Sequence, residues 1–108
     1  VLHTPLIMVL GHESCGAVGA AIEAIDNNKQ FPGHIQTMAT ALSPAVRAAR
    51  NMSGPLYDNA VKMNVILTVA ELKNSTPVLS RFVREKKMRV VGGVYRLGTG
   101  KVELVSED

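Results

Sequence analysis

Leu6-Ile7-Met8-Val9-Leu10-Gly11-His12-Glu13-Ser14-Cys15-Gly16-Ala17-Val18-Gly19 is the stretch on which the fold turns. Its apolar run, Leu6–Leu10, is bounded by Pro5 and Gly11 and predicts a short strand buried on both faces, as in parallel sheets. Gly11–Cys15 reads as a turn. Gly16–Ile25 then reads as a helix with very small side chains, able to approach a neighbouring element closely, and Asp26-Asn27-Asn28 ends it.

Downstream, Phe31-Pro32-Gly33 is a loop, and Ile35 to Arg50 is an Ala-rich helical stretch interrupted at Ser43-Pro44. Pro fits the first turn of a helix and Ser can cap it, so two helices and one kinked helix are both open. After a turn at Asn51–Pro55, Tyr57 to Lys73 is the best helical pattern, with Asp58 as its N-cap and an apolar set too wide for one stripe. Thr76 caps a helix that starts at Pro77 and runs to about Lys87. Met88–Tyr95 is a strand, Gly98-Thr99-Gly100 a turn, and Lys101–Val105 pairs back as a hairpin. The order strand, helices, strand predicts an α/β fold, a mostly parallel sheet flanked by helices with a C-terminal hairpin.

The rest of the chain limits what this unit can be. It has 108 residues, 46% of them apolar and 19% charged, which suits one small folded domain and excludes disorder or a disulfide-stapled miniprotein. With no Trp, two Phe and two Tyr, the core must come from Val, Leu, Ile, Met and Ala. No apolar run approaches the roughly 18 residues of a membrane span, and Val1–Pro5 has neither a basic start nor a cleavage-type segment. Because the chain opens on Val1 and enters a strand almost at once, we expect it to be a piece of a longer protein. The lone Cys15 cannot form an internal disulfide, which favours a reducing compartment and a cytoplasmic setting.

The net charge of +3 comes from a local cluster, Arg81, Arg84, Lys86, Lys87 and Arg89, with Glu85 as its single acid. Phe82 shares the helical spacing of Val78, Leu79 and Val83 and reads as core, so no aromatic platform accompanies the cations. The cluster is read as the solvated end of a helix, where cations complement the dipole, and not as a nucleic-acid site.

One constellation carries chemistry. His12 and Cys15 stand three apart in the turn between a buried strand and a helix, where ligands bind in open α/β sheets. A thiolate at a helix N-terminus is stabilised by the dipole, and imidazole with thiolate suits Zn²⁺. Spacing alone leaves three readings open: a metal pair, a reactive thiol, or a buried cysteine beside a hydrogen-bonded histidine. Phosphate readings fail. Gly11 and Gly16 have P-loop spacing, but Ala17-Val18 replaces the required Lys-Ser/Thr, and Glu103 stands where a dinucleotide motif on Gly98-Thr99-Gly100 needs its third Gly.

The strand followed by Gly11-His12-Glu13-Ser14-Cys15-Gly16-Ala17-Val18 resembles the second zinc motif of the β-class carbonic anhydrases, G-H-x-x-C-G-A-V. The resemblance continues in order through Asn64-Val65, Pro77-Val78-Leu79, Val90-Val91-Gly92-Gly93-Val94-Tyr95 and Thr99-Gly100-Lys101-Val102. It implies that residues 1–108 are the C-terminal portion of a single domain of that family, incomplete relative to the whole. The implied activity is zinc-dependent, reversible hydration of CO2 to bicarbonate, in a homodimer or higher homo-oligomer, with no nucleic-acid or membrane partner.

The resemblance also assigns residues. In the family two Cys and one His hold the zinc. His12 and Cys15 match two of these ligands, and Gly16 matches a position where substrate comes close beside the thiolate. The family's other ligand lies in a Cys-x-Asp-x-Arg motif that this sequence does not contain, and the Asp–Arg pair that orients substrate goes with it. No catalytic residue is therefore identifiable in this chain, and the isolated chain is expected to be inactive. The alternative is a catalytically inactive, metal-free remnant serving as a structural or interaction module. Glu13 is not expected to face the metal, His3 and His34 read as exposed loop residues, and Tyr57 and Tyr95 as packing residues with one polar tip.

Overall fold

A glycine in each of two neighbouring strands decides how closely the central helix can lie on the sheet. In a computed structural model, which describes residues 5–75 and 78–106, the elements run β1 (Leu6–His12), α1 (Gly16–Asp26), α2 (Gly33–Ala49), α3 (Leu56–Lys73), α4 (Val78–Arg84), β2 (Arg89–Arg96) and β3 (Lys101–Ser106). The sheet has the order β1-β2-β3, with β1 and β2 parallel and β2 and β3 antiparallel. α3 lies across β1 and β2 on one face. A Cβ built at Gly92 would stand 2.5 Å from Val65 Cγ1, and one built at Gly11 would stand 2.7 Å from Val65 Cγ2. Only a residue without a side chain allows that approach.

The core is the expected aliphatic one. Val46, Val65, Val69, Val90 and Val94 are its largest fully buried side chains, each worth about 1.5–3 kcal/mol of burial. α1 is close-packed as its small residues predict, with Val18 and Ala21 buried. The ring of Tyr57 lies 3.5 Å from where a Gly19 Cβ would be.

Several expectations change. β1 is not buried on both faces among the described residues: exposure alternates along it, with Leu6 56% and Leu10 54% exposed. Leu104 of β3 is 51% exposed on the same outer face. β1 also runs to His12, so this residue ends the strand and pairs with Tyr95 across the parallel ladder. The Ser43-Pro44 interruption does not split α2, which is one helix carried through Pro44 by burial of Ala39, Ala45, Val46 and Ala49. Ser43 turns its hydroxyl to the Ala39 carbonyl and caps nothing.

Asp58 is not an N-cap either. α3 starts earlier, behind Pro55, and Asp58 lies in its first turn with its carboxylate on Arg96. Phe82 is 37% exposed and not core; Thr76 and Pro77 lie outside the described residues, as do the side chains of Val78 and Leu79. No described helix is long and apolar enough to cross a membrane.

Candidate functional site

The motif turn sits at the carboxyl end of β1, where the strand stops at His12 and α1 begins behind Cys15. His12 is exposed, and its Nδ1 lies 2.9 Å from the Glu13 carbonyl oxygen. A carbonyl can only accept, so Nδ1 is the protonated nitrogen in this contact and Nε2 carries the free lone pair. Cys15 is the N-cap residue of α1, half-buried, and makes no side-chain cap, which leaves its sulfur uncommitted there. Its carbonyl accepts from the Gly19 amide at 3.2 Å and from the Tyr57 hydroxyl. Burial, and then the Cys15 charge, hold the Tyr57 hydroxyl above its ordinary value, so it stays a neutral donor.

Between the two candidate ligands, Ser14 has φ +58°. For an L residue that left-handed conformation costs roughly 1–2 kcal/mol. Gly16 is exposed, and a Cβ built on it would meet nothing within 4 Å. It opens on a small recess of about 190 Å³ lined by Ala17, Ala20, Ile35 and Met38.

The Glu13 carboxylate is engaged with the end of β2. Its Oε1 accepts the Leu97 amide at 2.8 Å, and its Oε2 lies 3.9 Å from Arg96 Nη1. Arg96 donates to Asp58 Oδ1 and to Glu103 Oε1, each at 2.7 Å, while Lys62 Nζ stands 3.6 Å from Asp58 and 3.7 Å from Glu103. The Arg96 guanidinium holds both carboxyls below their ordinary values, and they in turn push Arg96 further into its charged form.

Imidazole and thiolate are donor types that zinc takes, but two donors do not close a four-coordinate site. Among the described residues no group of three or more His, Cys, Asp or Glu side chains gathers to hold a metal ion. His34 is exposed in the first turn of α2, and His3 lies outside the described residues. Two such donors alone make no metal site, and no chemical step follows from them.

Sequence reasoning missed the contacts that Glu13 and Tyr57 make around the turn, and Arg96 as its neighbour. Glu13 and Leu97 are 84 residues apart, and Tyr57 and Cys15 are 42 apart, so no local spacing could pair them. The only hint was Asp58, an acid beside Tyr57 at a helix start, which the cap reading absorbed.

The profile of the carbonic anhydrase family matches residues 1–102. The carbonic anhydrase of Mycolicibacterium smegmatis is 33% identical over 106 residues, which are 98% of this chain and 52% of that protein. Carbonic anhydrase 2 of Mycobacterium tuberculosis is 34% identical over 104 residues, 96% of this chain and 50% of the relative. The chain therefore spans about half the length of the curated relatives it matches. Among solved structures, a tetrameric β-carbonic anhydrase of Sordaria macrospora superposes with a TM-score of 0.75 at 18% identity, covering 93% of this chain and 51% of that one. A Coccomyxa β-carbonic anhydrase in complex with acetazolamide gives a TM-score of 0.74 at 24% identity over 94% of this chain and 46% of its own. With a fold shared with the β-class and a family match along nearly its whole length, this chain belongs to the carbonic anhydrase family.

Proposed function

We propose that this chain supplies two of the protein ligands, His12 and Cys15, of the zinc site in a β-class carbonic anhydrase that interconverts CO2 and bicarbonate. The carrying observation is the placement of both residues at one turn, with the His12 Nε2 lone pair free and the Cys15 sulfur uncommitted to a helix cap. Bound zinc would supply Lewis acidity and activate water near neutral pH. The chain's own part is to hold the two donors and to leave space beside Cys15. Gly16, bare of a side chain and opening on a recess lined by Ala17, Ala20, Ile35 and Met38, suits the approach of a small nonpolar substrate.

In this reading residues 1–108 are the C-terminal portion of one domain, and the third ligand and the Asp–Arg pair come from a Cys-x-Asp-x-Arg segment outside them. The protein is a homo-oligomer, which the exposed apolar side chains on the outer face of the sheet, Leu6, Leu10 and Leu104, support. A cytoplasmic setting fits the unpaired thiol of Cys15.

Zinc content and CO2 hydration, measured on the chain alone and on the chain joined to a segment carrying that motif, test this. We expect negligible hydration by the chain alone. For the joined protein we expect one zinc per chain and activity, both lost in His12→Ala and Cys15→Ser. A joined protein that folds without zinc, or full activity from the chain alone, contradicts the proposal.

One observation favours a second reading: the described residues offer no third donor to His12 and Cys15. On that reading the chain is a metal-free, carbonic-anhydrase-like structural or interaction module, and a folded natural product of this length lacking zinc is its signature.

A further inference from the structure

The turn joining His12 to Cys15 holds Ser14 in a region that L side chains seldom adopt, at φ +58°. Such a conformation persists where the surroundings over-determine it. Two anchors do so here, one on each side of Ser14.

On the N-terminal side, the Glu13 amide donates to the Tyr95 carbonyl at 3.2 Å, and the Glu13 carboxylate takes the Leu97 amide at 2.8 Å with Arg96 Nη1 behind it at 3.9 Å. On the C-terminal side, the Tyr57 hydroxyl donates to the Cys15 carbonyl. The two anchors are themselves joined. Arg96 donates to Asp58, the residue after Tyr57 on the first turn of α3. The end of β2 and the start of α3 thus grip the turn from both sides through one connected set of bonds.

We infer that Glu13 and Tyr57, with Arg96 behind Glu13, are positioning residues that fix the His12–Cys15 turn in the shape that presents both donors to a metal. The inference rests on the reading of His12 and Cys15 as zinc ligands. It differs from a merely stabilising role in what it predicts. Loss of an anchor loosens the turn and weakens the metal site, while the core formed by Val65 and Val94 stays as rigid as before.

The test uses the 108-residue chain with Tyr57→Phe, Glu13→Ala and Glu13→Gln. Tyr57→Phe keeps the ring beside Gly19 and removes only the donor, and Glu13→Gln keeps an acceptor for Leu97. Amide ¹⁵N order parameters are measured at Ser14, Cys15, Val65 and Val94, together with cobalt(II) titrations run with a small monothiol in excess for the absent donor and read as charge transfer above that of cobalt with the monothiol alone. In Tyr57→Phe and Glu13→Ala we expect Ser14 and Cys15 to fall from the rigid backbone value of about 0.85 toward 0.6, with Val65 and Val94 unchanged. Cobalt affinity should fall about tenfold, the lower end for loss of an outer-shell partner. Glu13→Gln should stay near the unsubstituted chain on both readouts.

Unchanged order parameters in Tyr57→Phe and Glu13→Ala, or unchanged cobalt affinity, overturn the positioning role alone. If the unsubstituted chain adds no charge-transfer band to that of cobalt with the monothiol, the ligand reading beneath it is overturned as well.

Discussion

Arg96 Nη1 donates to Asp58 Oδ1 at 2.7 Å, tying the last residue of β2 to the first turn of α3, directly beside the residue that grips the Cys15 carbonyl. The same guanidinium donates to Glu103, so strand, helix and hairpin meet on one cation. It binds two carboxylates in fork geometry, which a lysine could not reproduce.

This relationship has a pH signature. Both carboxyls are held below their ordinary values of 3.8 and 4.5, chiefly by hydrogen bonds from Arg96. A carboxyl whose folded value is depressed stabilises the fold above its unfolded value and loses that contribution as pH falls through the folded one. Arg96→Leu should therefore lower the Tm at pH 7 modestly, since the network is partly solvated. The gap between variant and unsubstituted chain should close below about pH 4 as the carboxyls protonate. Thermal unfolding from pH 7 to pH 2.5 measures it. A gap of the same size at pH 3 contradicts the assignment.

Gly92→Ala tests how α3 packs on the sheet. The added methyl would lie 2.5 Å from Val65 Cγ1 and 2.9 Å from Val69 Cγ2, both on fully buried valines. Overpacking of this kind costs about 1–3 kcal/mol. Val65→Ala made together with Gly92→Ala should recover part of that loss, so the two changes are non-additive. Urea unfolding of the two single variants and the double gives the coupling. Additive costs would place α3 elsewhere on the sheet.

Lys86 ends α4 with φ +57°, its amide on the Val83 carbonyl at 3.1 Å and the Lys87 amide on the Phe82 carbonyl at 2.8 Å. These are the two bonds of a Schellman ending, whose left-handed position glycine fills best. Lys86→Gly should stabilise the chain by about 0.5–1 kcal/mol, because relief of the left-handed conformation outweighs the added freedom of the unfolded chain. A fall in Tm, measured by circular dichroism, would contradict this.

What the sequence made legible was local. The apolar run from Leu6 and the small residues from Gly16 placed β1, α1 and Cys15 at the helix start from neighbouring residues alone, although the strand runs on through Gly11 and His12, which read as turn. The hairpin was equally readable, with Gly100 at φ +69° just before β3. The illegible parts were long-range. Which face of β1 would be covered depends on where α3 lies, and Leu6 and Leu10 are apolar whether covered or not. The grip of Tyr57 and Glu13 on the turn joins elements distant in sequence, and neither residue type announces its partner. Asp58 was assigned a cap because caps are local; a salt bridge to Arg96 lies 38 residues away.

The claim that His12 and Cys15 form half of a zinc site is tested most directly by cobalt(II) titration of the 108-residue chain with a small monothiol in excess. The monothiol stands in for the thiolate that the chain does not itself provide. Measured against cobalt and the monothiol without protein, we expect an additional saturable thiolate-to-cobalt band that is absent in Cys15→Ser, with a clearly weaker cobalt affinity in His12→Ala. A band that is the same in the unsubstituted chain and in both variants would contradict the account.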